Sequence, residues 1–312
     1  VKDLKKYFPS KKVFLGKDVN PVRAVDGISF ALNEGETLGL VGESGSGKST
    51  AARTLLRLET PTSGRVHFKG QNLADLSEAE LRSLRKEMQM IFQDPSSSIN
   101  PRRKIGEVLS EPFAIHGVKE NVSEFIIELL NQVGLSSSHA NRYPHEMSGG
   151  QLQRVGIARA IALNPSLVVA DEPVSALDVS VQAQVVNLMI DLKEKLGISY
   201  LFISHDMGVV EYFCDRVAVM YLGKIVEIAS SEEIYKRPCH PYTEALLNAV
   251  PGLELGKIKQ KLKVLGDTPD PSTLSHGCSF HTRCPIKEKQ CEEMEPTLKE
   301  VTSGHYVACF LK

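Results

Sequence analysis

Short apolar runs that end in a glycine, an acid or a histidine recur along the chain, and helical patterns lie between them. Residues 22–41 alternate apolar and polar positions as strands do, and 36–42 (ETLGLVG) is a brief apolar strand running into a glycine loop. Residues 48–58 follow as a helix with Ala51, Ala52, Leu55 and Leu56 on one face. Buried strands are predicted at 87–93 (EMQMIFQ), 166–172 (SLVVADE), 199–205 (SYLFISH) and 216–223 (RVAVMYLG). Strands alternating with helices predict an α/β fold around a mostly parallel sheet. Residues 94–164 break the rhythm with helical patterns and Pro punctuation, so they predict a helical subdomain inserted into that sheet. The pattern changes again after about residue 240. Residues 257–264 (KIKQKLKV) alternate as a half-exposed strand does, and residues 266–312 carry little regular pattern.

Composition narrows the class. Hydrophobic residues make up 42% and charged residues 24% of 312, with net charge −1, which is ordinary globular composition. A near-neutral chain has no overall field to attract nucleic acid. No apolar run approaches the ~18 residues that span a bilayer, and VKDLKKYFPSKK lacks the apolar centre of a secretion signal. The expected location is therefore cytoplasmic, where the six cysteines serve as ligands or core thiols rather than disulfides.

The first chemistry-bearing segment is Gly42, Glu43, Ser44, Gly45, Ser46, Gly47, Lys48 and Ser49, which matches G-x-x-x-x-G-K-[ST] between a predicted strand and a predicted helix. Glycines let backbone N–H groups turn inward around an anion, and the helix N-terminus adds partial positive charge. Lys48 is placed to reach the β- and γ-phosphates of ATP, the Ser49 hydroxyl to bind Mg²⁺, and Thr50 to approach the α-phosphate. Downstream, the apolar run Leu167–Ala170 delivers Asp171 and Glu172 to a strand's C-terminal end, where ligands sit in α/β sheets. Asp171 suits holding Mg²⁺ through water, and Glu172 suits a general base that polarises the attacking water.

Between these two lies Ser148-Gly149-Gly150-Gln151, locally a helix start with a capping box. In this position it resembles the LSGGQ signature of ATP-binding-cassette (ABC) ATPases, with Met147 where the family usually has Leu. The rest of that family's series falls in order. Gln93 resembles the Q-loop glutamine, which also faces Mg²⁺, Ser175–Asp178 the D-loop, and His205 the switch histidine. The resemblance implies an adenine-stacking aromatic at Phe8, with Tyr7 as the alternative. It also implies a cassette over about residues 1–245 that works as a head-to-tail dimer. Each phosphate loop then faces the partner's SGGQ helix, and ATP hydrolysis opens the clamp. The alternative of a soluble cassette ATPase acting on DNA or ribosomes lacks its marks, a long heptad insertion or a second cassette. An iron–sulfur redox protein with an attached ATPase lacks a second cofactor motif.

Residues 237–251 (RPCHPYTEALLNAVP) and 277–309 resemble the segments that follow the cassette in oligopeptide/dipeptide importer ATPases. The implied domain is an extension over 246–312. The implied assembly has a second homologous ATPase (or a homodimer), two transmembrane permease subunits and an extracytoplasmic peptide-binding protein. The chain then sits peripherally on the cytoplasmic face of the membrane, powering uptake of peptides or related solutes such as nickel. The resemblance further implies that Cys278, Cys284, Cys291 and Cys309 hold a structural [4Fe–4S] cluster. A Cys₄ zinc site, for which no C-x₂-C pair is present, and plain buried thiols are the alternatives. Cys214 and Cys239 are expected to be ordinary thiols. His281 and His305 lie near the set without being needed as ligands. The extension has few apolar residues, so it is expected to need a staple, and losing it is expected to leave ATP binding largely unchanged.

Overall fold

The computed structural model describes residues 1–9, 21–250, 266, 269 and 276–312. The strand expected at 257–264 lies outside the described residues. In chain order the strands are β1 (Lys2–Phe8), β2 (Val22–Ile28), β3 (Thr37–Val41), β4 (Ser63–Arg65), β5 (His67–Phe68), β6 (Gln71–Asn72), β7 (Met88–Ile91), β8 (Leu167–Asp171), β9 (Ser199–Ser204), β10 (Arg216–Tyr221), β11 (Lys224–Ser230), β12 (Lys299–Thr302) and β13 (His305–Val307). The helices are α1 (Lys48–Leu55), α2 (Glu78–Leu84), α3 (Pro95–Ser98), α4 (Ile105–Ile115), α5 (Val122–Gln132), α6 (Gly149–Ile161), α7 (Val179–Leu196), α8 (Met207–Phe213), α9 (Ser231–Lys236), α10 (Pro241–Asn248) and α11 (Lys289–Glu293).

The chain divides into two compact units. The first comprises residues 1–31, 38–75 and 205–312. Its sheet runs in the order β12-β13-β11-β10-β3. β3 and β10 are parallel, while β11 returns antiparallel to β10 through the Leu222-Gly223 turn. All five residues of β3 are buried, which is why this strand reads as apolar throughout rather than alternating. β1 pairs with β2 and β4 in a separate antiparallel sheet. The Cys-bearing extension contributes β12 and β13 to the edge of the main sheet, where β13 pairs with β11. The extension therefore shares a unit with the phosphate loop.

The second unit comprises residues 32–37 and 76–204. Here β7, β8 and β9 run parallel, and their apolar sequences match burial on both faces. Helices α3 to α6 occupy residues 95–161. The apolar face of α6, with Val155, Ile157, Ala158 and Ile161 buried, packs against α3, α4, α5 and β7, and α7 also contacts α6. Among the described residues, no helix is long and apolar enough to cross a membrane.

Several elements lie off the expected pattern. β1 carries no strand pattern in sequence because Lys2, Asp3, Lys5 and Lys6 interrupt its hydrophobicity; only Leu4 is buried there. β11 is hard to see in sequence because KIVEIAS buries a glutamate. Glu227 is 0% exposed and would be read as a surface residue from its type alone. The helix expected over 48–58 ends at Leu55.

Candidate active site

In the first unit, β3 ends at Val41 and the loop Gly42–Gly47 leads into α1, with Lys48 at its first position. Gly47 has φ 103°, and a Cβ there would meet the Ala24 carbonyl at 1.9 Å, so only glycine lets the loop pass under β2. Lys48 is 4% exposed and donates to the carbonyls of Gly42 (2.7 Å) and Glu43 (2.8 Å). Its stem therefore runs back inside the loop, with its ammonium held at the loop mouth. Ser46 is buried, Ser44 and Gly45 are exposed, and Ser49 and Thr50 are half-buried on the first turn of α1. A glycine-bearing turn at a helix N-terminus with a buried lysine bonded to its carbonyls is suited to a phosphate chain.

Glu43 is held at three points. Its N–H donates to the Tyr242 hydroxyl at 2.8 Å, its carbonyl accepts from Lys48, and its carboxylate accepts from Arg283 in a bidentate pair at 2.8 and 3.1 Å. Burial works against the Arg283 charge, but the hydrogen bonds to Glu43 outweigh it and raise its pKa. Burial raises the Tyr242 pKa, so the phenol stays neutral. The extension therefore reaches the phosphate loop directly, which a self-contained appendage would not do. Arg283 is the arginine of the G-C-x-F-x-x-R-C-P run at 277–285, but nothing in the sequence points to its partner, 240 residues away.

His205 directly follows β9 and is exposed. Asp206 next to it caps α8 by accepting from the N–H groups of Gly208 and Val209. At the end of β1, Phe8 is half-buried with the Lys6 ammonium 4.8 Å from its ring centroid. Tyr7 donates its hydroxyl to Asp26, and burial together with that bond pushes its pKa up to about 12. Tyr7 is thus committed to a polar network that also includes the Lys224–Asp26 ion pair at 3.0 Å.

In the second unit, β8 carries Asp171, 2% exposed, and Glu172 follows it. Glu172 has φ 47°, a left-handed conformation that is strained for a residue with a Cβ and is characteristic of sites where geometry serves function. Its N–H donates to the Ile203 carbonyl at 3.0 Å, and its own carbonyl accepts from the Ser175 N–H and hydroxyl. Gln93, just beyond β7, donates from Nε2 to Glu172 Oε2 at 3.0 Å. Residues far apart in sequence thus meet at the C-terminal ends of adjacent strands.

The Ser148-Gln151 capping box forms as expected. Ser148 Oγ accepts from the Gln151 N–H, and Gln151 Oε1 accepts from the Ser148 N–H at 3.0 Å. Ser148 and Gly149 are exposed. A Cβ on Gly150 would meet Val181 Cγ1 at 2.5 Å, so this glycine lets the start of α6 lie close to α7. Asp178 caps α7, accepting from Ser180 Oγ and the Val181 N–H, and the Ser180 bond is the main cause of its lowered pKa. Beside it Val179 is 83% exposed, an apolar residue placed on the outside of a capped helix start.

In the extension, Cys284 and Cys291 are buried and Cys278 and Cys309 half-buried; all are free thiols. Burial pushes the Cys278 pKa up to about 11, and the charges of Cys291, Cys309 and Cys284 add to the rise. The Cys284 and Cys309 thiols are raised by burial and then by their neighbours among the same four. His281 Nδ1 lies 2.7 Å from the Cys278 carbonyl. His305 instead meets Glu227 at 2.7 Å. Ligand atoms of Glu227, Cys239 and His305 lie within 4.8 Å of one another. The Glu227 oxygens already accept from the Cys239 and His240 N–H groups and His305, which accounts for this carboxylate without an ion. Cys214 packs against Gly39 as a core thiol.

Comparison with known proteins places these features in context. Residues 25–175 match the ABC transporter family, and residues 226–291 match the oligopeptide/dipeptide transporter C-terminal region. The chain is 53% identical to the oligopeptide transport ATP-binding protein AppF of Bacillus subtilis, over 100% of this chain and 96% of that one. It is 48% identical to the dipeptide transport ATP-binding protein DppF of Haemophilus influenzae, over 98% and 94%. Among solved structures, it resembles a dimeric post-hydrolysis state of the ATP-binding cassette MJ0796 bound to ADP and Pi. That likeness has a TM-score of 0.65 and 27% identity, over 74% of this chain and 97% of that one.

Proposed function

We infer how this chain works from the family it belongs to, the ATP-binding subunits of ABC transporters of the oligopeptide/dipeptide class. It is an ATPase, and it powers peptide import through a membrane permease. The observation that carries this is likeness over the whole chain, cassette and extension together, to oligopeptide and dipeptide transport ATP-binding proteins. The same likeness leaves the DNA- or ribosome-directed alternative without support.

The residue roles follow from the chemistry of each group. Lys48 and the N–H groups of Gly42–Gly47 bind the β- and γ-phosphates, with Thr50 toward the α-phosphate. Ser49, Gln93 and Asp171 hold Mg²⁺, directly or through water. Glu172 is the general base for the attacking water, and Gln93 orients its carboxylate. His205 contacts the γ-phosphate. Phe8 stacks on adenine, since Tyr7 is engaged by Asp26. Ser148–Gln151 acts on the nucleotide of a second cassette, and Asp178 lies at that interface. The exposed Ser148 and Gly149, the neighbouring exposed Val179 and the dimeric MJ0796 cassettes support this reading.

As the ATPase of a transporter, the chain works with a second ATPase subunit and a membrane permease and is peripheral to the membrane. Its position is the cytoplasmic face, and an extracytoplasmic peptide-binding protein delivers substrate to the permease. Deleting the chain is expected to stop uptake of labelled short peptides, and restoring it to restore uptake. Supplying Lys48→Ala instead should not restore it. Unchanged uptake of every candidate peptide in the deletion strain contradicts the importer reading.

The quartet Cys278, Cys284, Cys291 and Cys309 fits a [4Fe–4S] cluster. Four cysteines of one small region, two buried and two half-buried, offer thiolate ligands of the kind such a cluster takes. Such a centre supplies a staple to a segment with little core of its own. Protein purified anaerobically should contain about four iron and four sulfide per chain, and any one Cys→Ser variant should make the extension protease-sensitive. One zinc per chain, or a metal-free, protease-resistant extension, excludes the cluster.

A further inference from the structure

The three-point hold on Glu43 links the extension to nucleotide binding. Glu43 is the first variable position of the phosphate loop, a place the G-x-x-x-x-G-K-[ST] pattern leaves open. Its carbonyl, together with that of Gly42, accepts from Lys48, so the position of Glu43 bears on where that ammonium rests. Its side chain is 32% exposed, while the Arg283 side chain that grips it is only 10% exposed. The guanidinium is itself locked in place. It lies over the rings of Tyr221 (5.8 Å) and Phe280 (5.9 Å), and those rings pack on Tyr242, the residue whose hydroxyl takes the Glu43 N–H. A rigid fork on a carboxylate sets direction as well as distance, which a single flexible charge cannot do. An arginine wanted only to anchor the extension has no need to choose the phosphate loop. Arg283 is also adjacent to Cys284, one of the four cysteines, so the order of that region bears on the fork.

We propose that Arg283 is a positioning residue for ATP binding: through Glu43 it holds the phosphate loop, and with it Lys48, in the shape that receives the phosphates, so that the Cys-bearing extension sets nucleotide affinity. This rests on the reading of Gly42–Ser49 as the ATP site. Phosphates are gripped in both ground and transition states, so the loss falls on binding rather than on the chemical step.

The test is a double-mutant cycle on the full chain, purified with its cysteine centre intact, with MgATP affinity measured by equilibrium binding. Arg283→Met and Glu43→Gln are each expected to weaken MgATP about tenfold, with the double variant no weaker than the worse single one, because paired residues are not additive. Arg283→Lys should recover part of the loss. In the assembled transporter KM should rise while kcat stays within about twofold. Protease resistance of the extension is followed in parallel. Glu43→Gln alters no residue of the extension and therefore decides the matter if Arg283→Met loosens it. Unchanged affinity in Glu43→Gln, or additive losses in the cycle, overturns the proposal. Lys48→Ala serves as the separate control. If it fails to weaken MgATP, the fault lies in the reading of the phosphate loop and not in the link to Arg283.

Discussion

Glu172→Gln is expected to keep MgATP affinity within about twofold and to lower turnover by about 10²–10⁴-fold, the range contributed by a general base. Three features of the structure make this substitution informative. The residue occupies a left-handed backbone position at the end of β8, fixed by its N–H bond to Ile203 and by the two bonds from Ser175 to its carbonyl. Those bonds are made by the main chain, so glutamine inherits the same location. The side chain accepts from Gln93 at 3.0 Å, and an amide oxygen in the same place also accepts that bond. What is lost is the negative charge and the capacity to take a proton from water. Binding is assigned instead to the loop Gly42–Gly47 and Lys48 under the proposed function, and the substitution leaves both alone. Equilibrium binding and steady-state hydrolysis, measured on the same preparation, separate the two effects. Normal turnover in the variant would mean that another group activates the water.

The parts of this site that sequence discloses are those whose chemistry needs fixed local spacing. A phosphate loop needs glycines and lysine at set offsets before a helix, and a capping box needs Ser148 and Gln151 three apart; both are present as expected. The strands at 167–171 and 199–204 are legible because burial on both faces demands unbroken apolar runs. Tertiary pairing leaves no such trace. Glu43 occupies a position where any residue satisfies the motif, and its partner Arg283 lies among cysteines that draw the reading toward metal binding. Glu227 sits in a strand that looks half polar until the backbone N–H groups of Cys239 and His240 and the ring of His305 are seen to satisfy it. A glutamate inside an apolar heptapeptide such as KIVEIAS is itself a signal that a buried partner exists, although the sequence does not say which. Similarly, the resemblance prefers Phe8 to Tyr7 without giving a physical reason, and the Tyr7–Asp26 bond supplies one.

Replacing Ser148 should produce the second large effect, and the location of that effect matters more than its size. Ser148 is the exposed N-cap of a 13-residue helix, and its Oγ accepts from the Gln151 N–H, which leaves its hydroxyl proton to donate to another group. A helix N-terminus of this kind stabilises an anion presented to it, and removing one oriented donor from such a site typically costs about 10²–10³-fold in rate. The proposed head-to-tail dimer assigns that anion to the partner's phosphate loop. In a mixed dimer with Ser148→Arg in one cassette only, hydrolysis should fall about 10²-fold at the site completed by the mutated signature. The other site should keep its rate, and the variant chain's own phosphate loop should still bind MgATP. Loss of the N-cap also costs about 1 kcal/mol of helix stability, so a Ser148→Gly control, which caps to within a few tenths of a kcal/mol but has no hydroxyl, distinguishes unfolding of α6 from loss of the contact across the dimer. The Gly variant should melt near the parent temperature and still lose rate at that site. Nucleotide occupancy measured at each site then decides the geometry, because a defect confined to the variant chain's own phosphate loop places both motifs on one nucleotide within one chain and removes the head-to-tail arrangement.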